Sequence, residues 1–170
     1  MRLEQKMVTL EEKVTLCEQN VSHTRRDDSG KNINKRVEST TAVAFHAVLA
    51  HDVSNPAPEH IIPFEKSVTN IGAHLNPNTG VFTCPEVGVY HFSWMIATFG
   101  VQYFTTELVR NNVVIGSAMS GDSVYWTTGA ASAITMLVPG DTVWVRIAKE
   151  HGTGADLKQT FTMFNGFLIK

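Results

Sequence analysis

The sequence predicts an all-β fold of two packed antiparallel sheets, on three observations. First, Gly88-Val-Tyr-His-Phe-Ser-Trp94 sets an aromatic on every second residue. Side chains alternate across a strand, so Tyr90, Phe92 and Trp94 share one face. Each ring can bury roughly 150–250 Å², worth about 4–6 kcal/mol per ring as an upper bound. A surface strand does not carry that load, so this is the central strand of an apolar core. Second, a short apolar run, Val81-Phe-Thr-Cys84, lies between two turn clusters, Asn76-Pro-Asn-Thr-Gly80 and Pro85-Glu-Val-Gly88. Proline fixes φ and glycine allows positive φ, which makes both clusters tight turns. Third, the rest of the chain to its end reads as short apolar runs separated by further turn residues.

Composition bounds the possibilities. A chain of 170 residues suits one domain with a short appendage, and a hydrophobic fraction of 43% supports a packed core. A net charge of −2 gives no basic surplus for nucleic acid or an anionic membrane. No apolar run approaches the roughly 18 residues that span a bilayer, so membrane insertion is not expected. The opening Met1-Arg-Leu-Glu-Gln-Lys6 has no apolar signal-peptide core. A removed signal, export without one and an intracellular location all fit that observation. Cys17 and Cys84 fall in different segments and make no disulfide framework. Asn20-Val-Ser22 is a glycosylation sequon, a pattern common by chance.

The elements follow in order. Leu3, Met7, Leu10, Val14, Cys17 and Val21 are spaced 4, 3, 4, 3, 4, an alternating heptad seam with charged flanks. Residues 1–22 are therefore expected to be a coiled-coil oligomerisation segment, because a helix this short is marginal alone. Residues 23–38 are polar and read as a flexible linker, and 39–170 as the globular domain. Ala42–Ala50 is apolar at both parities, as suits a strand buried in a sandwich or at an interface. Leu108-Val109, the turn Arg110-Asn-Asn112 and Val113–Ile115 form a hairpin signal. Ser132–Val138 runs into the turn Pro139-Gly-Asp141, Thr142–Ile147 follows as a strand, and Thr160–Ile169 closes the domain.

Phe64, Asn70, Leu75, Phe82, Gly88, Tyr90, Phe92 and Trp94 together resemble the signature of the complement C1q-like globular domain, eight positions over 31 residues. The family's last aromatic is usually Phe or Tyr, and Trp94 keeps a large ring there. Pro139–Val145 and Phe164–Ile169 also look like the family. The resemblance implies a jelly roll like that of tumour necrosis factor, with N- and C-termini together, and a compact homotrimer. The coil alone, with Val beside Leu at its inner positions, would favour two strands; the head decides for three. Many relatives carry a collagen stalk, and this chain has no Gly-X-Y repeat. Cys17 on the seam is a buried hydrophobe or an interchain disulfide.

No enzyme constellation appears: neither a Gly-x-Ser-x-Gly elbow nor a phosphate-cradling loop. Cys84 has no adjacent base and reads as core. Seven histidines, His46 and His91 among them, form no metal-ligand spacing, and His46 and His91 read as core or interface residues. Some C1q-like domains bind calcium through Asp residues just before the equivalent of Ser132; here that stretch, Ser123–Ala131, lacks them, so no metal and no cofactor are expected. The loops carry the candidate ligand site. Asp122, Tyr125, Trp126, Thr127 and Thr128 combine ring faces with hydrogen-bonding groups, a mix that suits sugars. Tyr103, Arg110, Asn111 and Asn112 make a second polar patch. Lys149 and His151, with Glu150 and Lys158, flank Gly152-Thr-Gly154, where a cation could pair with an anionic sugar or a lipid carboxylate. The bland alternative is solvated loops, with Tyr125 and Trp126 capping the trimer.

The expected function is non-enzymatic recognition by a secreted homotrimer. It would bind glycans or microbial surface molecules, with sialic acid the favoured ligand. Soluble lectins of innate immunity in this family imply the same. The alternative is a cytokine-like or synapse-organiser-like ligand for a protein receptor.

Overall fold

A computed structural model describes residues 42–150 and 154–169. The heptad seam Leu3, Met7, Leu10, Val14, Cys17 and Val21, the linker, and His151 lie outside the described residues. No helix occurs among the described residues, and eleven strands build two antiparallel sheets. They are β1 (Ala44–Val48), β2 (Val53–Ser54), β3 (Lys66–Ile71), β4 (Leu75–Asn76), β5 (Val81–Thr83), β6 (Gly88–Phe99), β7 (Val101–Arg110), β8 (Val113–Asp122), β9 (Thr127–Leu137), β10 (Thr142–Ile147) and β11 (Asp156–Ile169). One sheet runs β3-β1-β11-β6-β9 with β2 attached to β11; the other runs β4-β5-β10-β7-β8. The expected jelly-roll sandwich is present, and β1 pairs antiparallel with the end of β11, Ala44 opposite Phe167, which brings the domain's first and last strands together.

The core is the interior of that sandwich. Tyr90, Phe92, Trp94 and Ile96 of β6 point inward and are buried, and Phe45, Phe64, Phe82 and Phe164 join them. Phe45 lies 4.9 Å from Phe164 and 5.4 Å from Phe82 between ring centroids, within the range where aromatic pairs attract. Among the signature residues, Asn70 pins the loop between β3 and β4. Its amide donates to Leu75 O at 2.8 Å, and its carbonyl accepts from Leu75 N at 3.2 Å. Gly80 closes the next turn at φ 69°, and a Cβ there would lie 2.2 Å from Ile62 O, so no other residue fits.

The aromatic strand lies in the core as expected, and within its sheet it stands beside β11, which inserts between β1 and β6 as the middle strand. The Ala42–Ala50 run supplies β1, whose Phe45 and Ala47 are buried while Ala44, His46 and Val48 are half-buried in the single chain: one side lies on the core and the other on the outer face of the six-stranded sheet. The aromatic–hydroxylic stretch Ser123–Ala131 is only partly loop, since β9 begins at Thr127 and pairs it with Thr98. The hairpin is confirmed with its turn chemistry. Asn111 and Asn112 have φ of 47° and 68° between the paired Arg110 and Val113, the signature of a two-residue primed turn.

That turn also ties down the next strand. Asn111 Oδ1 accepts from Thr142 N at 2.9 Å, and its amide donates to Asp141 Oδ1 at 2.7 Å. The Val138 N–H first, and the Asn111 amide second, hold the Asp141 carboxyl below its usual range. Asn111→Ala is expected to destabilise the fold by about 1–2 kcal/mol, since alanine resists the left-handed region. The Asp141 carboxyl should then titrate closer to its ordinary value. Stability linked to a depressed carboxyl is present above the unfolded carboxylate range and lost as pH falls through the folded value, so the variant should lose less in acid. Chemical denaturation and an NMR titration of Asp141 check both.

Candidate functional site

Strand direction sorts the candidate residues into two groups. β6 and β8 run toward one end of the sandwich and β7 and β9 run back, so the β6–β7 link, the β8–β9 loop and the chain after β10 share that end. We call it the loop end. Asp122, Tyr125 and Trp126 lie on it. So do Tyr103, near the start of β7, and exposed Lys149, just past Ala148, whose N–H bonds Thr105 O. Arg110, Asn111 and Asn112 sit at the far end of β7. Seven residues at about 3.3 Å each place them roughly 23 Å from Tyr103. The second polar patch is therefore not one patch, because a ten-residue strand separates its members. Arg110 reaches across the sandwich edge, its Nη1 donating to Thr135 Oγ1 at 3.2 Å and Met136 O at 3.1 Å.

At the loop end the aromatic loop is held from inside. Asp122 Oδ1 accepts from Val124 N at 2.7 Å and Tyr125 N at 2.9 Å, an Asx-type turn. Those bonds, Tyr125 N–H first, keep its carboxyl below the usual carboxylate range. Thr127 Oγ1 accepts from Gly121 N at 2.9 Å across the base of the loop. So braced, the loop presents Tyr125 at 71% and Trp126 at 53% exposure, with Tyr103 and Val124 also exposed. Large rings on a fixed backbone lose little entropy when they meet a ligand.

Lys158, in β11, lies beneath this loop. Its Nζ stands 5.9 Å from the centroid of Trp126, within cation–π range. The same Nζ donates to Asp52 Oδ2 and Asp156 Oδ2, each at 3.2 Å. Asp52 in turn accepts from Gln159 N at 2.8 Å. That backbone bond first, and Lys158 after it, hold the Asp52 carboxyl below its usual value, while the Asp52 bond raises Lys158. The pairing of β11 with β6 is interrupted just beyond it, by a register shift between Lys158 and Met163. Sequence reasoning missed Asp52 and Asp156 and set Lys158 beside a glycine loop rather than under Trp126. Asp52 and Lys158 are 106 residues apart, so no local pattern joins them.

The outer face of the six-stranded sheet is the second surface of note. Val89, Ile134, Met136, Phe167 and Ile169 are exposed there on neighbouring strands. His91 lies between Phe167 and Ile134 in register and packs against Phe167 in a tilted pair, 5.1 Å between ring centroids. Its Nδ1 is buried without a hydrogen-bond partner among the described residues. Below it His46 bonds Asn165, which donates to Ser93 Oγ at 3.4 Å. Cys84 is buried, its thiol donating to Glu86 O at 3.0 Å, and burial holds the neighbouring Tyr90 phenol above its usual value. Among the described residues no three His, Cys, Asp or Glu side chains gather as a metal-binding group. No helix among them is long and apolar enough to cross a membrane.

Comparison with known proteins follows the same lines. A family model described as the C1q domain matches residues 44–169. Protein HP-25 homolog 1 of Bos taurus is 36% identical over 121 residues, covering 67% of this chain and 53% of that protein. Complement C1q tumor necrosis factor-related protein 2 of Mus musculus is 30% identical over 118 residues, covering 68% of this chain and 40% of that protein. The chain spans about half the length of these curated relatives, or less. Among solved structures, the globular domain of zebrafish complement 1qA protein superposes with a TM-score of 0.63 at 21% identity, over 75% of this chain and 98% of that one. Eiger TNF from S. frugiperda gives 0.61 at 15% identity, over 76% and 94%. At those identities the likeness is one of fold.

Proposed function

This chain belongs to the C1q domain family, and on that premise we propose that it is a secreted, non-enzymatic trimer that recognises glycans or microbial surface molecules through the loop end of its sandwich. The exposed pair Tyr125 and Trp126, on a loop braced by Asp122, carries the reading. Sugars offer C–H faces that stack on rings and hydroxyls that need fixed acceptors, and this loop supplies both. Self-association is supported by the apolar outer face of the six-stranded sheet, where Ile134 is 64% and Met136 63% exposed in the single chain. A contiguous apolar surface of this kind marks an interaction site. Three identical loop ends multiply a weak contact by avidity, so no single site need bind tightly.

Binding of the full chain to beads coated with microbial polysaccharide tests the reading. Trp126→Ala and Tyr125→Ala together should lower binding by at least about tenfold, a loss of stacking worth 1–2 kcal/mol, with the trimer mass unchanged. Undiminished binding would move recognition elsewhere on the head. Failure of the native protein to bind any sugar, with capture of a protein receptor instead, would favour the ligand-for-receptor alternative.

A further inference from the structure

We infer that the loop end selects neutral, hydroxyl-rich sugars and discriminates against acidic ones such as sialic acid. The inference rests on the glycan reading above and narrows it. Its ground is the state of the cations. An acidic sugar needs a cation free to meet its carboxylate, and of the two lysines at the loop end among the described residues, Lys149 and Lys158, the second is already engaged. Lys158 is shared between Asp52 and Asp156, each at 3.2 Å, and its side chain is only 14% exposed. Lys149 is exposed, with Glu150 beside it in sequence.

The carboxylates point the same way. Asp52, Asp122, Asp156 and Glu150 stand on these segments against Lys149 and Lys158, so an added sugar carboxylate enters a region of like charge. A neutral sugar meets no such penalty. Its hydroxyls donate to carboxylate oxygens, and the two backbone bonds of Asp122 are both made by Oδ1, so Oδ2 is the oxygen a hydroxyl would meet. The exposed part of the Trp126 ring offers a sugar C–H face a stacking surface that needs no charge.

The test compares immobilised N-acetyllactosamine with its terminally sialylated counterpart, using the full chain at near-physiological salt. The neutral sugar should bind at least about tenfold better than the sialylated one. Asp122→Asn should weaken neutral binding several-fold. Asp52→Asn combined with Asp156→Asn frees Lys158 and should shift preference toward the sialylated sugar, with circular dichroism confirming the fold. Equal or stronger binding of the sialylated sugar by the native protein overturns the charge selection and leaves the glycan reading standing. Binding to neither sugar, nor to any other on a broad array, removes the glycan reading itself and this inference with it.

Discussion

Trp94→Ala is expected to lower the unfolding free energy by about 4 kcal/mol, at the large end for a core truncation. The indole is buried on β6, with Phe164 of β11 and Ala131 of β9 as its register partners. It also crosses the sandwich: Nε1 donates to Thr106 Oγ1 of β7 at 3.0 Å, joining the two sheets by a buried side-chain hydrogen bond. Gly116 of β8 lies against the ring, since a Cβ there would come within 3.1 Å of Trp94 Cη2. Alanine leaves a cavity between the sheets and strands the buried Thr106 hydroxyl, which alone costs about 1–3 kcal/mol. Trp94→Phe keeps most of the packing and should lose clearly less. Chemical denaturation measures both, and a loss below about 1 kcal/mol for alanine would show that the sheets close over the gap.

Phe167→Glu with Ile134→Glu is expected to weaken trimer association of the full chain by at least about a hundredfold, since buried, unpaired carboxylates cost several kcal/mol. Both residues flank His91 on the outer face of the six-stranded sheet, and both are exposed in the single chain. The charges therefore meet water in the free domain and leave its core intact. They become costly only when another copy covers the face. Light scattering across a dilution series reads the concentration at which the mass falls. Val113→Glu, on exposed β8 of the other sheet, should leave that concentration unchanged. An unshifted curve for the double variant would remove this face from the assembly.

Much of the fold was legible because its signals are local. Period-two aromatics marked β6, the Asn111-Asn112 pair marked the hairpin turn, and Pro139-Gly140-Asp141 marked the start of β10 at Thr142. The candidate site was legible only in part. Asp122, Tyr125 and Trp126 stood out as a short run of rings and oxygens, and the structure keeps them together. Tyr103 and Arg110 looked like neighbours of one patch, yet β7 carries them to opposite ends. Lys158 looked like a free cation for an acidic ligand. Its ion pairs with Asp52 and Asp156 exist only because β11 folds back beside the segment after β1.

The sequence by itself determined a sandwich of antiparallel sheets, because side-chain alternation and turn chemistry act over a few residues and survive without knowledge of the rest; its C1q type came from the resemblance carried by Phe64–Trp94. The tertiary structure alone decided which loops share an end, which strand sits mid-sheet, and which cation Trp126 meets. Those depend on pairings between residues distant in sequence, set by how two sheets bury one another's apolar faces. No local pattern encodes them.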